Sequence, residues 1–240
     1  MANDKVIIVL PAYNAAQTIK QTVDDIPRNT ADEIILVDDG SHDETIKLAK
    51  ELGLTIFQHK ENTGYGGNQK TCYRLALEHG ADIIAMLHPD YQYDPKLLPP
   101  MIEFIRQGYF DMVLGSRIRS RKEALDNGMP IYKYFSNRFL SLVENLATGH
   151  NLSEWHTGMR VYSRKVLESI PFQTNSDDFV FDTEVLFQVI AHNLTIGELS
   201  VPVRYMKEAS SINFKRSMRY GLGTLGVIYK YLTGKYHAQD

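Results

Sequence analysis

Short apolar runs alternate with helical patterns through the first half of the chain. Apolar runs predict strands at residues 6–10, 34–37, 55–59, 83–87 and 112–114. Between them, apolar stripes at helical spacing predict helices from residue 14 or 18 to 26, and at 43–52, 68–79 and 95–107. Continuous apolar runs are typical of strands buried on both faces. The alternation therefore predicts an α/β fold with a mostly parallel central sheet and helices on both faces.

The second half of the chain has a different pattern. Residues 118–134 are polar and charged and predict a mobile loop, residues 135–147 predict a helix, and residues 195–205 alternate like one or two strands. Residues 212–236 mix apolar, basic and aromatic side chains and predict a helix despite three glycines. We find no internal repeat and no low-complexity tract, so we expect a single domain over residues 1–240.

Composition narrows the classes of function. The 240 residues carry 26 basic and 29 acidic side chains, a formal charge of −3, whereas nucleic-acid binders usually have a strongly basic face. The single cysteine, Cys72, excludes an internal disulfide and fits a reducing compartment. No apolar run reaches the roughly 18 residues of a membrane span, and the first residues do not resemble a signal peptide. We therefore expect a soluble, cytoplasmic protein with no nucleic-acid partner.

Two acidic residues directly follow the second predicted strand. Ligands of parallel sheets bind beyond the carboxyl ends of the strands, so the loops after residues 10, 37, 59 and 87 should meet in one crevice. Asp38 and Asp39 can accept hydrogen bonds there from a nucleotide base or ribose, or they can fill a turn. We favour a ligand contact for Asp39 and a helix cap for Asp43.

Two segments carry a resemblance to a known family. Pro-Ala-Tyr-Asn at 11–14 and Val-Asp-Asp-Gly-Ser-His-Asp-Glu-Thr at 37–45 resemble the family 2 glycosyltransferases of the GT-A fold, and the chain looks most like their dolichol-phosphate mannosyltransferase-like branch. The resemblance implies a nucleotide-sugar-binding half at 1–117 and an acceptor-binding half at 118–240. It also implies that the donor nucleoside is held by Pro11, Ala12, Tyr13, Asn14, Asp38 and Asp39.

The loop after the fourth predicted strand departs from the family pattern at one position. The family normally has Asp-x-Asp there, followed two residues on by Gln, and these oxygens hold a divalent cation that bridges the diphosphate. Asp90 and Gln92 match this pattern, but His88 replaces the first Asp. The resemblance therefore implies Mg²⁺ or Mn²⁺ at these three residues, and imidazole suits manganese better than magnesium. His88 could instead only pack at the strand end.

A glycine cluster and a lysine come next in the candidate site. Gly64 and Gly67 precede a predicted helix, where glycine lets the backbone approach a nucleotide closely. A simple loop is an equally good interpretation. Lys70 could contact the donor, but a solvated lysine on the helix surface is slightly favoured.

The resemblance implies further residues for the phosphates and the acceptor. Arg117, in Gly-Ser-Arg, would face the reacting phosphates, and Arg204 would contact a donor or acceptor phosphate, since arginine forms bidentate bonds with such groups. Lys133 and Arg138 belong to the implied acceptor loop, although charged loops are usually only solvated. The implied acceptor contacts further along the chain are Thr157 and Gly158.

Two carboxylates open the helix predicted near residue 181. Many family 2 enzymes have a catalytic base in such a place, which deprotonates a sugar hydroxyl, and Asp182 and Glu184 are the candidates. A lipid phosphate acceptor is already an anion and needs no strong base, so Asp182 could orient basic groups instead. Carboxylates are also favoured at helix N-termini for electrostatic reasons alone.

These observations predict an inverting hexosyltransferase. It would move a sugar from GDP-mannose or a UDP-sugar to a polyprenyl or dolichyl phosphate. The alternatives are transfer to a soluble glycan or hydroxyl compound, and nucleotide-sugar binding without turnover. Residues 201–240 carry a local charge of +5 against −8 for residues 1–200, so the basic C-terminal segment could touch the inner membrane surface without crossing it. A homo-oligomer is also compatible with the sequence.

Overall fold

The computed structural model describes residues 4–117, 131–202 and 214–236, and the side chains of Lys133 and residues 214–217 lie outside this description. Seven strands of the described chain form one sheet in the order β3-β2-β1-β4-β6-β5-β7. Their bounds are Val6–Ala12 (β1), Glu33–Asp38 (β2), Thr55–Gln58 (β3), Ile83–Met86 (β4), Met112–Ser116 (β5), Arg160–Ser163 (β6) and Ile196–Ser200 (β7).

One strand interrupts the parallel arrangement. β6 is antiparallel to both of its neighbours, β4 and β5, whereas every other pair in the sheet is parallel. The first residue of β6, Arg160, therefore pairs with Met86 at the end of β4 and with Leu114 on β5. This places the start of β6 at the same sheet edge as the carboxyl ends of the parallel strands. The predicted mostly parallel sheet is confirmed.

Helices lie on both faces of the sheet, as predicted. Those of the described segments are Ile19–Asp24 (α1), Thr45–Glu51 (α2), Tyr65–Glu78 (α3), Leu98–Arg106 (α4), Ile131–Thr148 (α5), Arg164–Ser169 (α6), Phe181–Ala191 (α7) and Phe214–Leu232 (α8). Short 3₁₀ turns occur at Pro95–Leu97 and Phe172–Thr174. None of these helices has the length and apolar character needed to cross a bilayer.

Several boundaries differ from the predicted ones for physical reasons. α3 begins at Tyr65 rather than at residue 68, because the backbone N–H groups of Gly66 and Gly67 donate to the carbonyl of Asp177. A distant loop thus supplies the acceptor that the first turn of a helix lacks. α5 begins at Ile131, inside the segment predicted as a loop, and the short α6 was not predicted.

The sheet separates two apolar cores. The alternation of a strand sends Ile7 and Val9 of β1 into a core shared with α3, α7 and α8. Val6, Ile8 and Leu10 enter the opposite core, which they share with α1, α2 and α4. Burial on both faces explains the continuous apolar runs of the central strands and holds their carboxyl ends rigidly at one edge.

Candidate active site

A cavity of about 1220 Å³ opens at the carboxyl ends of β1, β2 and β4. The loops after these strands, the start of α3 and residues 176–180 form its walls, and α8 closes one side. The predicted donor residues on its lining are Pro11, Ala12, Tyr13, Asn14, Asp39, Gly64, His88 and Asp90. The structure thus brings together residues from four separate loops, as the strand-end rule for parallel sheets predicts.

The loop after β1 is held in shape by the loop after β2. Asn14 adopts a left-handed backbone conformation with φ of 50°, and its side-chain oxygen accepts a hydrogen bond from the backbone N–H of His42 (2.9 Å). Its own N–H donates to Ser41 Oγ at 2.8 Å. Asparagine tolerates this conformation better than most residues. Tyr13, beside it, is half exposed at the cavity.

The two acidic residues after β2 have different surroundings. Asp38 is fully buried, and its Oδ2 accepts hydrogen bonds from the N–H groups of Gly40 and Ser41 at 3.2 and 3.0 Å. It is not among the residues that line the cavity. The structure therefore places Asp38 in the turn, where these backbone groups take up Oδ2, while its buried Oδ1 has no hydrogen-bond partner among the described atoms.

Asp39 lines the cavity, and protein donors surround its carboxylate. Oδ1 accepts from the backbone N–H of Thr63 (2.8 Å) and from the Thr63 hydroxyl (2.7 Å), and it lies 2.9 Å from Nδ1 of His59. Oδ2 accepts from the N–H of Gly64 at 3.1 Å. Asp39 thus connects the end of β2 to the loop before α3 and fixes that wall of the cavity.

The glycine cluster approaches protein backbone. A Cβ at Gly64 would lie 2.6 Å from the carbonyl oxygen of Asp177, and a Cβ at Gly67 would lie 3.1 Å from the side chain of Thr63. Lys70 donates to the carbonyl of Asn175 and, at 2.8 Å, to Oδ1 of Asp177. Gly67 and Lys70 therefore lie against the loop at 175–177, outside the cavity lining, because α3 packs on that loop.

Tyr65, a residue that the sequence analysis did not single out, contacts His88. Their rings are stacked with centroids 5.5 Å apart. The ring of Phe179 also stacks on the ring of Tyr65, with centroids 4.5 Å apart. The Tyr65 hydroxyl lies 3.2 Å from His88 Nε2 and donates to Asp182 Oδ2 at 2.7 Å. Burial, with Asp182 beside it, raises the pKa of Tyr65 well above its ordinary value, so the phenol is protonated.

Asp182 lies behind Tyr65 and is not part of the cavity lining. Its Oδ1 accepts from Gln69 at 3.3 Å and lies 3.4 Å from Nη1 of Arg160, which is fully buried. Burial lowers the pKa of Arg160, but Asp182 and the neighbouring tyrosines together outweigh burial and raise this pKa. In the structure Asp182 therefore contacts Tyr65 and Arg160 and can orient both side chains. Asp182 also lies in the first turn of α7, as predicted.

The predicted metal residues lie on one loop. His88 and Asp90 line the cavity, whereas Gln92 does not, and the Gln92 N–H donates to Asp90 Oδ1 at 3.1 Å. In the described parts of the chain, no group of three or more His, Cys, Asp or Glu side chains could hold a metal ion. A cation here would therefore need oxygens from a ligand, which is how Mg²⁺ is commonly bound with substrate phosphates.

Arg117 is paired with a buried carboxylate. Its backbone N–H and its Nε donate to the two oxygens of Glu154 at 2.6 and 2.8 Å, and its Nη2 contacts Glu154 and the carbonyl of His156. Burial alone raises the pKa of Glu154, but Arg117 outweighs burial and holds this pKa below its ordinary value. Arg117 is not on the cavity lining.

The predicted acceptor residues are dispersed. Thr157 is buried and donates to the carbonyl of Gly115, while Gly158 N–H donates to the hydroxyl of Tyr93 at 2.8 Å. Arg138 donates to a backbone carbonyl, that of Ser153, at 2.8 Å. These groups form hydrogen bonds within the protein, and the bonds hold the segment before β6 in place.

Of three further predicted site residues, Glu184 does not line the cavity, and the other two lie outside the described residues. Glu184 accepts from Ser176 N–H at 2.7 Å and from Lys230 Nζ at 3.0 Å, so it connects α7 to α8. Arg204 and the side chain of Lys133 lie outside the described residues.

Sequence reasoning did not place two kinds of residue in the cavity, although it marked the start of α8 as a basic and aromatic segment. Asn68 donates to the carbonyl of Val37 at 3.1 Å, and its buried Oδ1 has no hydrogen-bond partner among the described atoms. Arg219 and Tyr220 of α8 line the cavity although they lie about 130 residues beyond His88. No local pattern links α8 to the cavity, whereas the tyrosine within Gly-Tyr-Gly-Gly was a usable signal for Tyr65.

Comparisons with known proteins assign the family. The model described as "Glycosyl transferase family 2" matches residues 7–170. A UDP-N-acetylglucosamine–dolichyl-phosphate N-acetylglucosaminyltransferase of Methanococcus voltae is 30% identical over 222 residues, covering 85% of this chain and 88% of its own. A dolichyl-phosphate hexose transferase of Haloferax volcanii is 28% identical, covering 84% and 83%.

Solved structures agree on the fold. Glucosyl-3-phosphoglycerate synthase of Mycobacterium tuberculosis, in complex with Mn²⁺, UDP and glucosyl-3-phosphoglycerate, superposes with a TM-score of 0.74. The superposition covers 97% of this chain and 81% of that chain at 18% identity, which supports the fold alone. The fold is therefore that of the GT-A glycosyltransferases. The chain belongs to glycosyltransferase family 2, and it is a hexosyltransferase.

Proposed function

We propose that this glycosyltransferase moves a sugar from a nucleoside diphosphate sugar to a polyprenyl phosphate, with inversion at the anomeric carbon. The observation that supports it most directly is the similarity, over more than four fifths of both chains, to two relatives named for transfer to dolichyl phosphate. The cavity at the strand ends is large enough for a donor and an acceptor head group together.

The donor nucleoside is proposed to bind along the loops after β1 and β2. Asp39 lies there with its carboxylate held in place, and Asn68 offers a buried oxygen without a protein donor. Such an oxygen is costly to bury unless a ligand N–H or hydroxyl pairs with it. A UDP-sugar is the favoured donor, because the relative from Methanococcus voltae is named for one; GDP-mannose is the alternative.

A divalent cation at His88 and Asp90 is proposed to accompany the diphosphate. The donor set of one imidazole nitrogen and one carboxylate oxygen suits Mn²⁺. The ring of His88 packs closely on Gly158, because a Cβ added there would collide with the ring. When bound, such a cation neutralises charge on the departing nucleoside diphosphate. Asp90 would supply an oxygen ligand, and Gln92 supports it through its backbone N–H.

The acceptor phosphate is proposed to enter beside α8. Arg219 lies on the cavity lining with its side chain 83% exposed and its Nε 3.9 Å from Oδ2 of Asp178. This exposed and loose pairing leaves Arg219 able to reach an entering anion. Two cationic predictions, Arg117 and Arg204, remain proposals: the first is paired with Glu154, and the second lies outside the described residues. A phosphate acceptor is already an anion, which is compatible with the position of Asp182 behind the cavity lining.

An apolar surface continues from the cavity along α5 and α8, and we propose that it rests on an anionic membrane surface. Five of the six large hydrophobic side chains that α5 exposes recur at helical spacing, and the sixth is Tyr132. The five that the described part of α8 exposes recur in the same way. These residues are Ile131, Phe135, Phe139, Leu142 and Leu146 of α5, and Met218, Leu222, Leu225, Tyr229 and Leu232 of α8. The two helices pack together. The only acidic residue in the sequence of either helix, Glu144, is fully buried, so both outer faces complement anionic lipid.

A transfer assay tests the proposed function. Purified protein is incubated with radiolabelled UDP-N-acetylglucosamine, UDP-glucose or GDP-mannose, with Mn²⁺ or Mg²⁺, and with either polyprenyl phosphate or a panel of soluble hydroxyl acceptors. We expect label in the lipid extract with one donor and loss of transfer with EDTA. Transfer only to the soluble acceptors would favour the alternative acceptor class. Donor binding without any product would favour a binding protein.

A further inference from the structure

His88, which replaces the acidic residue usual in this family, is enclosed on one edge of its ring. A Cβ at Gly158 would lie 2.7 Å from Cδ2 and 2.8 Å from Nε2 of His88, so that backbone covers this edge closely. The Tyr65 hydroxyl approaches the same edge at Nε2, at 3.2 Å. Nδ1 belongs to the opposite edge of the ring, and His88 lines the cavity.

The contact between Tyr65 and His88 has only one consistent hydrogen-bond direction. A phenol carries a single proton, and Tyr65 donates it to Asp182 Oδ2 over the shorter distance, 2.7 Å. The hydroxyl oxygen can then only accept from His88. Nε2 of His88 must therefore carry a proton, and in the neutral form of the ring the remaining lone pair lies on Nδ1.

The surroundings of Asp182 disfavour the opposite arrangement, in which Tyr65 would donate its proton to His88. Asp182 has Arg160 at 3.4 Å and Gln69 at 3.3 Å on its other oxygen, so Oδ1 of this carboxylate already has its partners. Arg160 is fully buried and is oriented by the carbonyls of Thr157 and of Asp182 itself, both within 2.9 Å. Rotating the Tyr65 proton toward His88 would leave Oδ2 of this carboxylate without the Tyr65 donor, which is costly in the interior.

We propose that Tyr65, oriented by Asp182 and Arg160, is a positioning residue that fixes the tautomer of His88 and presents Nδ1 to a divalent cation. This inference rests on the proposed function, because it needs a cation beside the diphosphate. An aspartate ligand offers an oxygen whichever way it faces, whereas a histidine ligand must have its proton on the other nitrogen. Metal-binding histidines usually donate that second N–H to a fixed acceptor.

The tautomer can be measured directly in the unsubstituted protein. ¹⁵N-histidine labelling and two-bond ¹H–¹⁵N correlation spectra distinguish the protonated nitrogen of each ring, and His88→Asn identifies the His88 signals by their loss. We expect Nε2, and not Nδ1, to be the protonated nitrogen of the neutral ring form in the metal-free protein. A ring protonated at Nδ1 would overturn the inference, whatever the outcome of the transfer assay.

Tyr65→Phe tests the consequence for cation binding. The substitution keeps the ring that stacks on His88 and removes only the hydroxyl. Free Mn²⁺ is followed by electron paramagnetic resonance during titration in the presence of saturating UDP. We expect Tyr65→Phe to weaken Mn²⁺ binding about 10- to 100-fold, as is usual when the partner of a ligating histidine is removed. UDP binding without metal, measured by calorimetry, should stay unchanged.

Tyr73→Phe is the matched control. It removes another buried hydroxyl of the same helix, one that contacts Gln69 and Tyr162, and should leave Mn²⁺ affinity within a factor of two or three. In a His88→Asn background, whose side chain offers an oxygen near the Nδ1 position, Tyr65→Phe should have no further effect.

The outcomes separate the two proposals. If the unsubstituted protein binds Mn²⁺ no better with UDP than without it, the proposed function fails, while the NMR result still tests the tautomer. If the unsubstituted protein binds Mn²⁺ with UDP and Tyr65→Phe binds it equally well, only the inference fails. Equal losses for Tyr65→Phe and Tyr73→Phe would also overturn it, because the effect would then come from the fold.

Discussion

At the scale of single residues, the buried carboxylate of Glu154 stabilises the fold by pairing with Arg117. Glu154 is fully buried and accepts from Arg117 and, at 3.2 Å, from Asn137. It therefore fixes the end of β5 against the segment before β6. The resemblance assigned Arg117 to the phosphates, but the side chain that compensates its charge in the structure is Glu154.

Glu154→Gln should destabilise the protein by about 3 kcal/mol at pH 7. This is the lower end for breaking a buried ion pair, since Arg117 keeps some contact with solvent. The folded pKa of Glu154 is lowered from 4.5, so its ionised form stabilises the fold above that pH. The stabilisation is lost as the pH falls through the lowered pKa.

The difference in unfolding free energy between wild type and Glu154→Gln should therefore shrink below about pH 4.5. Urea unfolding at several pH values measures it, and the exposed Glu51→Gln serves as the control with little effect at any pH. A difference that stays constant from pH 7 to pH 3.5 would contradict this account.

At the scale of elements, α3 shows why its first turn contains glycines. The turn lies against the loop at 175–178, and a Cβ at Gly66 would lie 2.3 Å from the carbonyl of Ser176 and 2.8 Å from Cβ of Phe181. Both neighbours are rigid, because one is backbone and the other opens a buried helix. Glycine is needed here for close packing between α3 and α7.

Gly66→Ala should lower the free energy of unfolding by about 1–3 kcal/mol, the usual cost of overpacking. Gly226→Ala in α8 is the matched control, since no atom lies within 4 Å of its added Cβ. Alanine in a helix is favoured over glycine by up to about 1 kcal/mol, so the control should be neutral or stabilising. Thermal unfolding of the two variants checks the prediction, and equal behaviour would contradict the packing argument.

At the scale of the whole molecule, most of the exposed apolar side chains are concentrated on one surface. Of the 15 large hydrophobic residues that are exposed in the described chain, 11 lie on α5 and α8. Contiguous apolar patches on a protein surface mark interaction sites. Because α8 also lines the cavity, a lipid chain entering the site would meet this surface first.

Substituting both Leu146 and Leu225 with Glu should reduce binding to vesicles that contain phosphatidylglycerol. Each buried leucine contributes about 1.5 kcal/mol or more, so binding should fall at least tenfold per site. Tyr109→Glu, on an exposed aromatic residue elsewhere, is the control. Co-sedimentation with vesicles measures binding, and sedimentation velocity measures the oligomeric state.

Unchanged vesicle binding by the double variant would contradict the membrane proposal. A dimer in solution that the double variant converts to monomers, without lipid binding by either protein, would assign this surface to a second copy of the chain instead.

The sequence by itself determined the α/β class, the parallel core of the sheet and the strand-end loops that hold the candidate site. These features depend on local patterns, namely apolar runs for doubly buried strands and acidic, glycine-rich turns after them. The same reasoning identified the loop at 88–92 and its departure from the family, because a motif is read from adjacent residues.

Only the tertiary structure decided which of these residues act together. Tyr65 and Asp182 are 117 positions apart, and Arg117 meets Glu154 across the segment that carries α5. Local periodicity carries no information on such pairs, because their distance depends on how the helices pack on the sheet. The role of a buried charged side chain depends on the group that neutralises its charge. Packing of distant segments determines which group that is, so position in the sequence does not reveal it.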